Sequence, residues 1–486
     1  MTTGVFSAPV TKEIRALAPT WAAALAVVGL ASYGGSRMLV PIGLIGCAFG
    51  AIALGAQSIG HEYSHRTVTL LLSQPVDRRR LLLYKASVLL VMVGSLVAFT
   101  IWAFAEPLRH APGPDMGAAM LVLIATCGLS IAPWLTMVCR SPLAGGVFAI
   151  AIPGLLRAGL DVLGGAVYGL EAAASIDRFT SAVFFPLMYL ACIGAAAALW
   201  RTFIRLEAIE GGHAEIQLPG AQARGSLATD GMRRQPVLRA LVAKELRLQQ
   251  MAYLAAGIFT VLWVGFAWRE HLQPRGFPFV PLALLYGGIL ALLVGSMTSA
   301  QERELGTLEW QTLQPVPGWQ QWAVKTAVAV TLSLTFGVAL PMVLSVVTGT
   351  NARFAGRQPA APWVAVSTLG LTAVGIYLST LCRTSVTALV LSVPTVVALT
   401  SFFRSVGYYL PMSGVPEFGN PRATPFGAGT VEALSFAAMF GLTALLIGLA
   451  HGNHHHTDGP TRRLMLQIPL IAGYVVVAAV ALVLAG

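Results

Sequence analysis

Charge is scarce in this sequence. Only 10% of its 486 residues are Asp, Glu, Lys or Arg, and only four are lysine. Soluble domains carry about 25% charged residues, so a water-soluble fold of this length is excluded: too little polar surface exists to cover its core. No lysine follows a glycine. A phosphate-wrapping loop of the form G-x-x-x-x-G-K-[ST] is therefore missing, and with it the means to hold ATP. Cysteine is sparse too. Cys47, Cys127, Cys139, Cys192 and Cys382 lie in or beside apolar runs with no C-x-x-C spacing, and they read as small packing residues rather than a metal or redox site. A cleavable leader is not expected, because the first apolar run follows Lys12 and Arg15 and reads as a retained span.

Apolar residues make up 56% of the chain, and they come in long runs. A helix needs about 20 mostly apolar residues to cross a bilayer. Thirteen such segments are expected, near 18–34, 39–60, 83–105, 117–138, 143–160, 182–203, 250–268, 279–299, 323–347, 362–381, 385–403, 432–450 and 466–485. The segments 154–172 and 404–431 read as re-entrant or interfacial, and no outer loop is long enough for a sizeable folded domain. The fold class is an all-α polytopic membrane protein. Its net charge of +11 follows from sidedness rather than from nucleic-acid binding. With the N-terminus inside, 21 Lys and Arg fall on inner segments and 10 on outer ones, the bias of the positive-inside rule. The inner loop 300–325 runs against it, with three Glu beside one Arg and one Lys.

The chain repeats itself. Lys12-Glu13-Ile14-Arg15 precedes the first span, and Lys244-Glu245-Leu246-Arg247 precedes the seventh. Val10, Ile14 and Leu17 share one helical face, as do Leu238, Leu241 and Val242, so both segments are expected to lie on the inner membrane surface as amphipathic helices. Glu62, Thr67, Gln74, Pro75, Val76 and Lys85 follow the second span. Glu302, Thr307, Gln314, Pro315, Val316 and Lys325 follow the eighth, each at an offset of 240. All four lysines fall in these matched pairs. Cys139-Arg140-Ser141 and Cys382-Arg383-Thr384 echo each other where a fourth span meets a fifth. The layout expected is a first transmembrane half over 1–205, a cytoplasmic linker over 206–239, and a second half over 240–452. A cytoplasmic loop and one extra span follow over 453–486. Six spans per half is an even number, so the two tandem six-helix repeats share one orientation.

These inner loops resemble those of type-two ABC transporter permeases, exporters with six spans per half. The family pattern is a Glu ending the second span, a Thr five residues on, a leucine-rich stretch, Pro-Val, basic residues and a Lys entering the third span. Here that is Glu62, Thr67, Leu70-Leu71-Leu72, Pro75-Val76, Arg79 and Lys85. The second copy keeps Glu302, Thr307, Pro315-Val316 and Lys325, but has Trp319 in place of Arg79. The extra last span departs from the six-plus-six plan. The resemblance implies a coupling helix in each loop, docked on a cytoplasmic ATPase. It implies two copies of that ATPase on a separate chain, with ATP and Mg bound there and no cofactor on this one. It also implies a small-molecule cargo and a bacterial cytoplasmic membrane. Pro75 and Pro315 would end one helix, and Asp77 would cap the next.

Three other chemistries compete. His61-Glu62-Tyr63-Ser64-His65 matches H-E-x-x-H, the motif of membrane-embedded zinc metalloproteases, which places two His on one helical face to hold zinc with Glu as general base. In the second copy Gln301 and Leu305 stand where the histidines stand, so the repeated Glu is explained without zinc. His451 and His454-His455-His456, with Asp458, read as a solvated inner loop rather than a metal site. An ion-coupled transporter would place ionisable residues near mid-membrane, and the spans have almost none there, which suits an apolar or amphipathic cargo. Arg157 and Asp161, spaced i,i+4, read as an ion pair on one helix face.

Overall fold

The computed structural model describes residues 3–33, 40–64, 67, 77–106, 118–168, 173–205, 237–272, 279–306, 316–350, 361–409, 428–454 and 460–485. Among these, every regular element is helical. In chain order the helices are α1 (Thr3–Tyr33), α2 (Val40–Ser64), α3 (Arg78–Ala103), α4 (Ala118–Cys139), α5 (Pro142–Tyr168), α6 (Ala173–Ile204) and α7 (Val237–Leu248). They continue as α8 (Gln250–Leu272), α9 (Phe279–Leu305), α10 (Gly318–Val347), α11 (Ala361–Leu381), α12 (Ser385–Tyr409), α13 (Ala428–His454) and α14 (Pro460–Ala485). Eleven of them are long and apolar enough to cross a membrane. The apolar stretches Pro142–Arg157 in α5 and Ser385–Thr400 in α12 are shorter. Each of the thirteen expected segments falls on one of these helices.

The helices gather into two compact units. The first holds Met1–Val28 and Val40–Met251, and the second holds Gly29–Leu39 and Ala252–Gly486. The amphipathic helix α7 thus belongs to the first unit, although the sequence pattern sets it at the head of the second half.

Within the first unit α2 packs on α3, α4 and α5, and α6 closes over α4 and α5. The tightest crossing is glycine against glycine. A Cβ on Gly55 would sit 1.9 Å from the Gly128 carbonyl oxygen, and one on Gly128 would sit 2.6 Å from the Ala51 carbonyl oxygen. Any side chain there would force α2 and α4 apart, since small residues are what let helix backbones approach this closely in membranes. Within the second unit α9 packs in the same way on α10, α11 and α12, and α13 covers α11. Its crossing pair is Gly295 and Gly375, where a Cβ on Gly295 would meet the Thr372 carbonyl oxygen at 2.5 Å. Gly295 lies 240 residues after Gly55, the offset of the loop repeat.

Local chemistry sets the ends and irregularities. Asp77 accepts a hydrogen bond from the Arg79 backbone N–H at 3.2 Å and so caps α3, as its position before that helix predicts. Arg140 adopts φ 50° between α4 and α5, a left-handed residue of the kind that closes a helix. In α10, residues Thr335–Ala339 form a π turn, in which the Leu340 N–H reaches the Thr335 carbonyl. Pro341 follows and has no N–H to offer Gly337, so the regular ladder is already broken at this point.

The extra helix α14 packs on α12 and α13. Gln467 and Asn453 exchange amide hydrogen bonds at 2.9 and 3.1 Å, and the Tyr377 hydroxyl donates to Gln467 at 2.9 Å. This reciprocal pairing ties α14 to α13 and α11 with directional bonds, which lipid-facing apolar contact alone would not supply.

One expectation is corrected here. The N-terminal amphipathic segment and the first span are a single unbroken helix, α1. Lys12, Glu13 and Arg15 therefore lie along that helix instead of on a separate surface helix. In the second copy the turn at Gln249 does separate α7, with Lys244, Glu245 and Arg247, from α8.

Candidate functional site

The second helix of the first unit ends in a carboxylate that is almost wholly enclosed: Glu62 is 1% exposed. A buried carboxylate is costly unless it is paired and hydrogen-bonded. Three elements supply its partners. From α1, the Lys12 ammonium lies 2.8 Å from Glu62 Oε1. From α3, the Lys85 ammonium lies 3.3 Å from the same oxygen. From the residues after α2, the Thr67 hydroxyl donates to Glu62 Oε2, and the Thr67 backbone N–H donates to the Glu62 carbonyl at 2.9 Å.

Lys85 is itself buried, and its three protons find three acceptors. These are Glu13 Oε1 at 2.6 Å, the Ser58 carbonyl at 3.2 Å and Glu62 Oε1. An ammonium has three donors to place, so this one is fully satisfied. The result is a charge-balanced cluster of two carboxylates and two ammoniums joining α1, α2 and α3. The Glu-to-Thr spacing of five acquires a physical reason as well. It lets threonine close the end of α2 with both its backbone and its side chain.

The rest of this end is braced by neighbours. Arg78, the first residue of α3, donates to the Ile204 carbonyl at the end of α6 at 2.9 Å, where helix carbonyls lack partners. Ile59, Leu81, Leu82, Met137 and Phe203 pack together around it. Arg79 and Arg80 are exposed. Pro75 and Val76 lie outside the described residues.

In the second unit Glu302 and Lys325 are equally enclosed, and the Lys325 ammonium donates to Glu302 Oε2. They join α9 to α10, as Glu62 and Lys85 join α2 to α3. Gln321 donates to the Val316 carbonyl at 3.1 Å and steadies the start of α10. Trp319, at the position of Arg79, is 61% exposed. Thr307 and Pro315 lie outside the described residues. Glu304 accepts from the Ser385 backbone N–H at 3.3 Å and from its hydroxyl at 2.9 Å, a carboxylate cap on the start of α12.

In the first unit, Lys244 and Glu245 stand 3.9 Å apart on α7. Burial pulls the Lys244 ammonium below the ordinary lysine range, and the neighbouring carboxylate opposes that shift.

One part of the cluster has the makings of a metal site. Glu13, His61 and Glu62 each bring a ligating atom within 4.8 Å of the others. His61 donates through Nδ1 to the Gln57 carbonyl at 2.9 Å, and its Nε2 lies 3.2 Å from Glu62 Oε1. Oε1 of each carboxylate is already engaged by lysine and Glu62 Oε2 by Thr67, whereas Glu13 Oε2 and His61 Nε2 are buried with no hydrogen-bond partner. His65, the second histidine of the H-E-x-x-H match, lies outside the described residues, as do His455, His456 and Asp458. His454 is buried, 3.3 Å from the Ser299 hydroxyl and tilted against the Trp322 ring at 5.1 Å. It is part of the packing of the second unit rather than of a solvated loop.

The pairing of Glu13 with Lys85, 72 residues apart, went unread in the sequence. The signal was there: the chain has only four lysines, and all four fall at repeated positions.

Among curated proteins and solved structures nothing matches the chain. The family model described as ABC-2 family transporter protein matches residues 9–205. That span runs from just before Lys12 to the end of α6 and so contains the whole Glu62 cluster. The first half of the chain thus carries an ABC-2 family transporter domain, which supports reading it as an ABC-2 type permease.

Proposed function

We propose that this chain is an ABC-2 type permease, the translocating part of an exporter in a bacterial cytoplasmic membrane. Two copies of a separate cytoplasmic ATPase subunit would power it, with ATP and Mg bound on that partner. The two six-span halves would open alternately inward and outward as the ATPases close. The cargo would be an apolar or amphipathic small molecule. The observation that carries the reading is the fastening of the loop between α2 and α3. Thr67 ties the first residues of that loop to Glu62, and Glu62 is ion-paired into α1 and α3. A push on the loop from a docked ATPase would be passed to three helices at once. A loop held only by its own turns would absorb it.

On this reading Glu62 and Glu302 anchor the coupling loops from inside, and the exposed residues Arg79 and Trp319 face the ATPase. Thr307, Pro75-Val76 and Pro315-Val316 would belong to the coupling segments. The test is to reconstitute the chain with its ATPase and measure cargo-stimulated hydrolysis. Thr67→Val should leave the complex assembled and reduce that stimulation, and Thr67→Ser should restore it. Unchanged stimulation in Thr67→Val would mean that the loop is not the coupling element.

A further inference from the structure

The first unit contains a cavity of about 440 Å³ between α2, α4, α5 and α6. Phe49, Ile52, Leu123 and Phe184 are among its apolar walls. Sites for small molecules usually measure about 300–1,000 Å³, and they are mostly apolar with a few placed polar groups. The space has a local cause. Pro153 and Gly154 line it on α5, and neither extends a long side chain into the gap. Arg157 also lies in the lining, where its guanidinium donates to the Ser181 hydroxyl at 3.4 Å and stands 5.6 Å over the Phe184 ring. The nucleophilic group of the lining is the Cys127 thiol.

The Cys127 sulfur lies 3.7 Å from that of Cys192, which reaches it from α6, and both are free thiols. Along the chain they are packing residues 65 positions apart; the structure makes them a pair. Cys127 stands twelve residues before the end of α4, and Cys192 twelve before the end of α6. That is about 18 Å along each helix, near the middle of a hydrocarbon core about 30 Å thick. Ile131 and Met188 are among the apolar side chains packed with them.

These facts select a ligand. A pair of charged thiolates is costly in such surroundings, so the sulfurs call for a partner that gives a neutral product. Zinc takes four ligands, and among the described residues no His, Asp, Glu or third Cys joins the pair. A linear two-coordinate ion with bonds of the usual metal–thiolate length would hold the sulfurs about 4.6 Å apart. A pyramidal centre with bonds of that length and an angle of about 100° holds them about 3.5 Å apart, close to the 3.7 Å observed. Trivalent arsenic is such a centre. Its third bond carries an organic group, for which the cavity has room.

We propose that Cys127 and Cys192 form a dithiol site for a trivalent organoarsenical, the arsenic bridging the two sulfurs and its organic group lying in the cavity. Ile150, in the cavity wall, is 40% exposed, so the site lies beside the apolar outer surface, where a compound dissolved in the bilayer arrives. An organoarsenic oxide reacts here without a change of oxidation state. Each thiol gives its proton to the oxide oxygen, which leaves as water, and two arsenic–sulfur bonds replace the bonding to oxygen. The proposal rests on the export reading only for its consequence, that a captured compound is cargo. Capture itself needs neither ATP nor the ATPase.

The test uses the purified full chain in nanodiscs of zwitterionic lipid, reduced with a phosphine and without its ATPase. The probe is phenylarsine oxide, followed by intact-mass spectrometry. One adduct per chain is expected, formed with loss of one water. Excess ethanedithiol should remove it, and the same amount of thiol supplied as a monothiol should not. Peptide mapping of the parent chain should find arsenic bridging the segments that contain Cys127 and Cys192. Cys127→Ser and Cys192→Ser should each weaken binding about a hundredfold, because the second bond can no longer form within the molecule. Cys47→Ser and Cys382→Ser should bind as the parent does. Gly154→Leu should weaken the phenyl compound about tenfold and leave methylarsine oxide nearly unchanged. Absence of a saturable adduct, a bridge on other cysteines, or an adduct that survives both serine changes would overturn the site. The mapping needs no variant, so a serine chain that fails to fold does not shield the proposal. Equal effects of Gly154→Leu on the two compounds would overturn the placement of the organic group. Failure of the export reading would look different: the adduct would form, but vesicles that also hold the ATPase would not move the compound.

Discussion

The two units solve one problem with different sets of side chains. Each ends its second helix in an enclosed glutamate, and each answers it with a lysine from the next long helix, 23 residues on in both cases. The first unit adds Lys12 and Glu13 from α1 and sets His61 beside the carboxylates. In the second unit Gln301 stands at the histidine position. The constant part is the Glu–Lys pair joining two helices at the foot of a loop, and the variable part is what gathers around it. Buried ion pairs are weak contributors to net stability, yet breaking one is costly. A pair kept in both halves is therefore better explained by rigid joining of helices than by added stability.

That contrast can be broken most severely at the lysines. Lys85→Met leaves Glu13 and Glu62 facing a single ammonium. Removing one partner of such a buried pair costs about 3–5 kcal/mol, so yield and melting temperature of the purified chain should fall sharply. Glu302→Gln should be next, because Lys325 then loses the carboxylate to which it donates. A charge exchange, Glu302→Lys with Lys325→Glu, should recover part of the loss in the same melting measurement. If the exchange recovers nothing, the pair matters for its exact surroundings rather than for joining α9 to α10.

A smaller effect is expected from His61→Gln, which gives the first unit the residue of the second. The cluster is charge-balanced without the imidazole, so stability should change by less than about 1 kcal/mol. Elemental analysis before and after the change tests the alternative directly. One zinc per chain, lost in the variant, would mean that Glu13, His61 and Glu62 hold a metal after all.

The smallest effect on the fold belongs to the exposed pair. Arg79→Ala and Trp319→Ala should each change melting by no more than about 0.5 kcal/mol in equivalent stability. If the two halves dock identical ATPase subunits through these residues, the two changes should differ in how far they weaken assembly, since one removes a charge and the other an aromatic face. Equal and negligible effects on assembly would move the docking surface elsewhere.

Cys382 marks how far packing overrides chemistry. It follows α11 directly and is 8% exposed. Burial pushes its thiol up to about 12, against the pull of Arg303. It reads as a small packing residue, in keeping with its apolar setting in the sequence.

Much of this molecule follows from the sequence by itself. A bilayer demands about twenty apolar residues per crossing, so each helix announces itself as a run, and all thirteen runs are helical in the structure. Asp77 as the cap of α3 was legible for a similar reason: capping depends on a residue and its next neighbours. The register of the repeated loops was legible because lysine is so rare here. What only the tertiary structure decided depends on which way side chains point. No periodicity reveals that Glu13 turns inward to Lys85 while Ile14 beside it is exposed, or that α1 continues without a break from the surface segment into the span. The 240-residue offset was read from loops, where charged residues catch the eye. Gly55 and Gly295 share it inside apolar runs rich in glycine, and they stood out only once two backbones were seen to cross there. The cavity beside Arg157 is likewise made by four helices together, and a void has no residue of its own to be read.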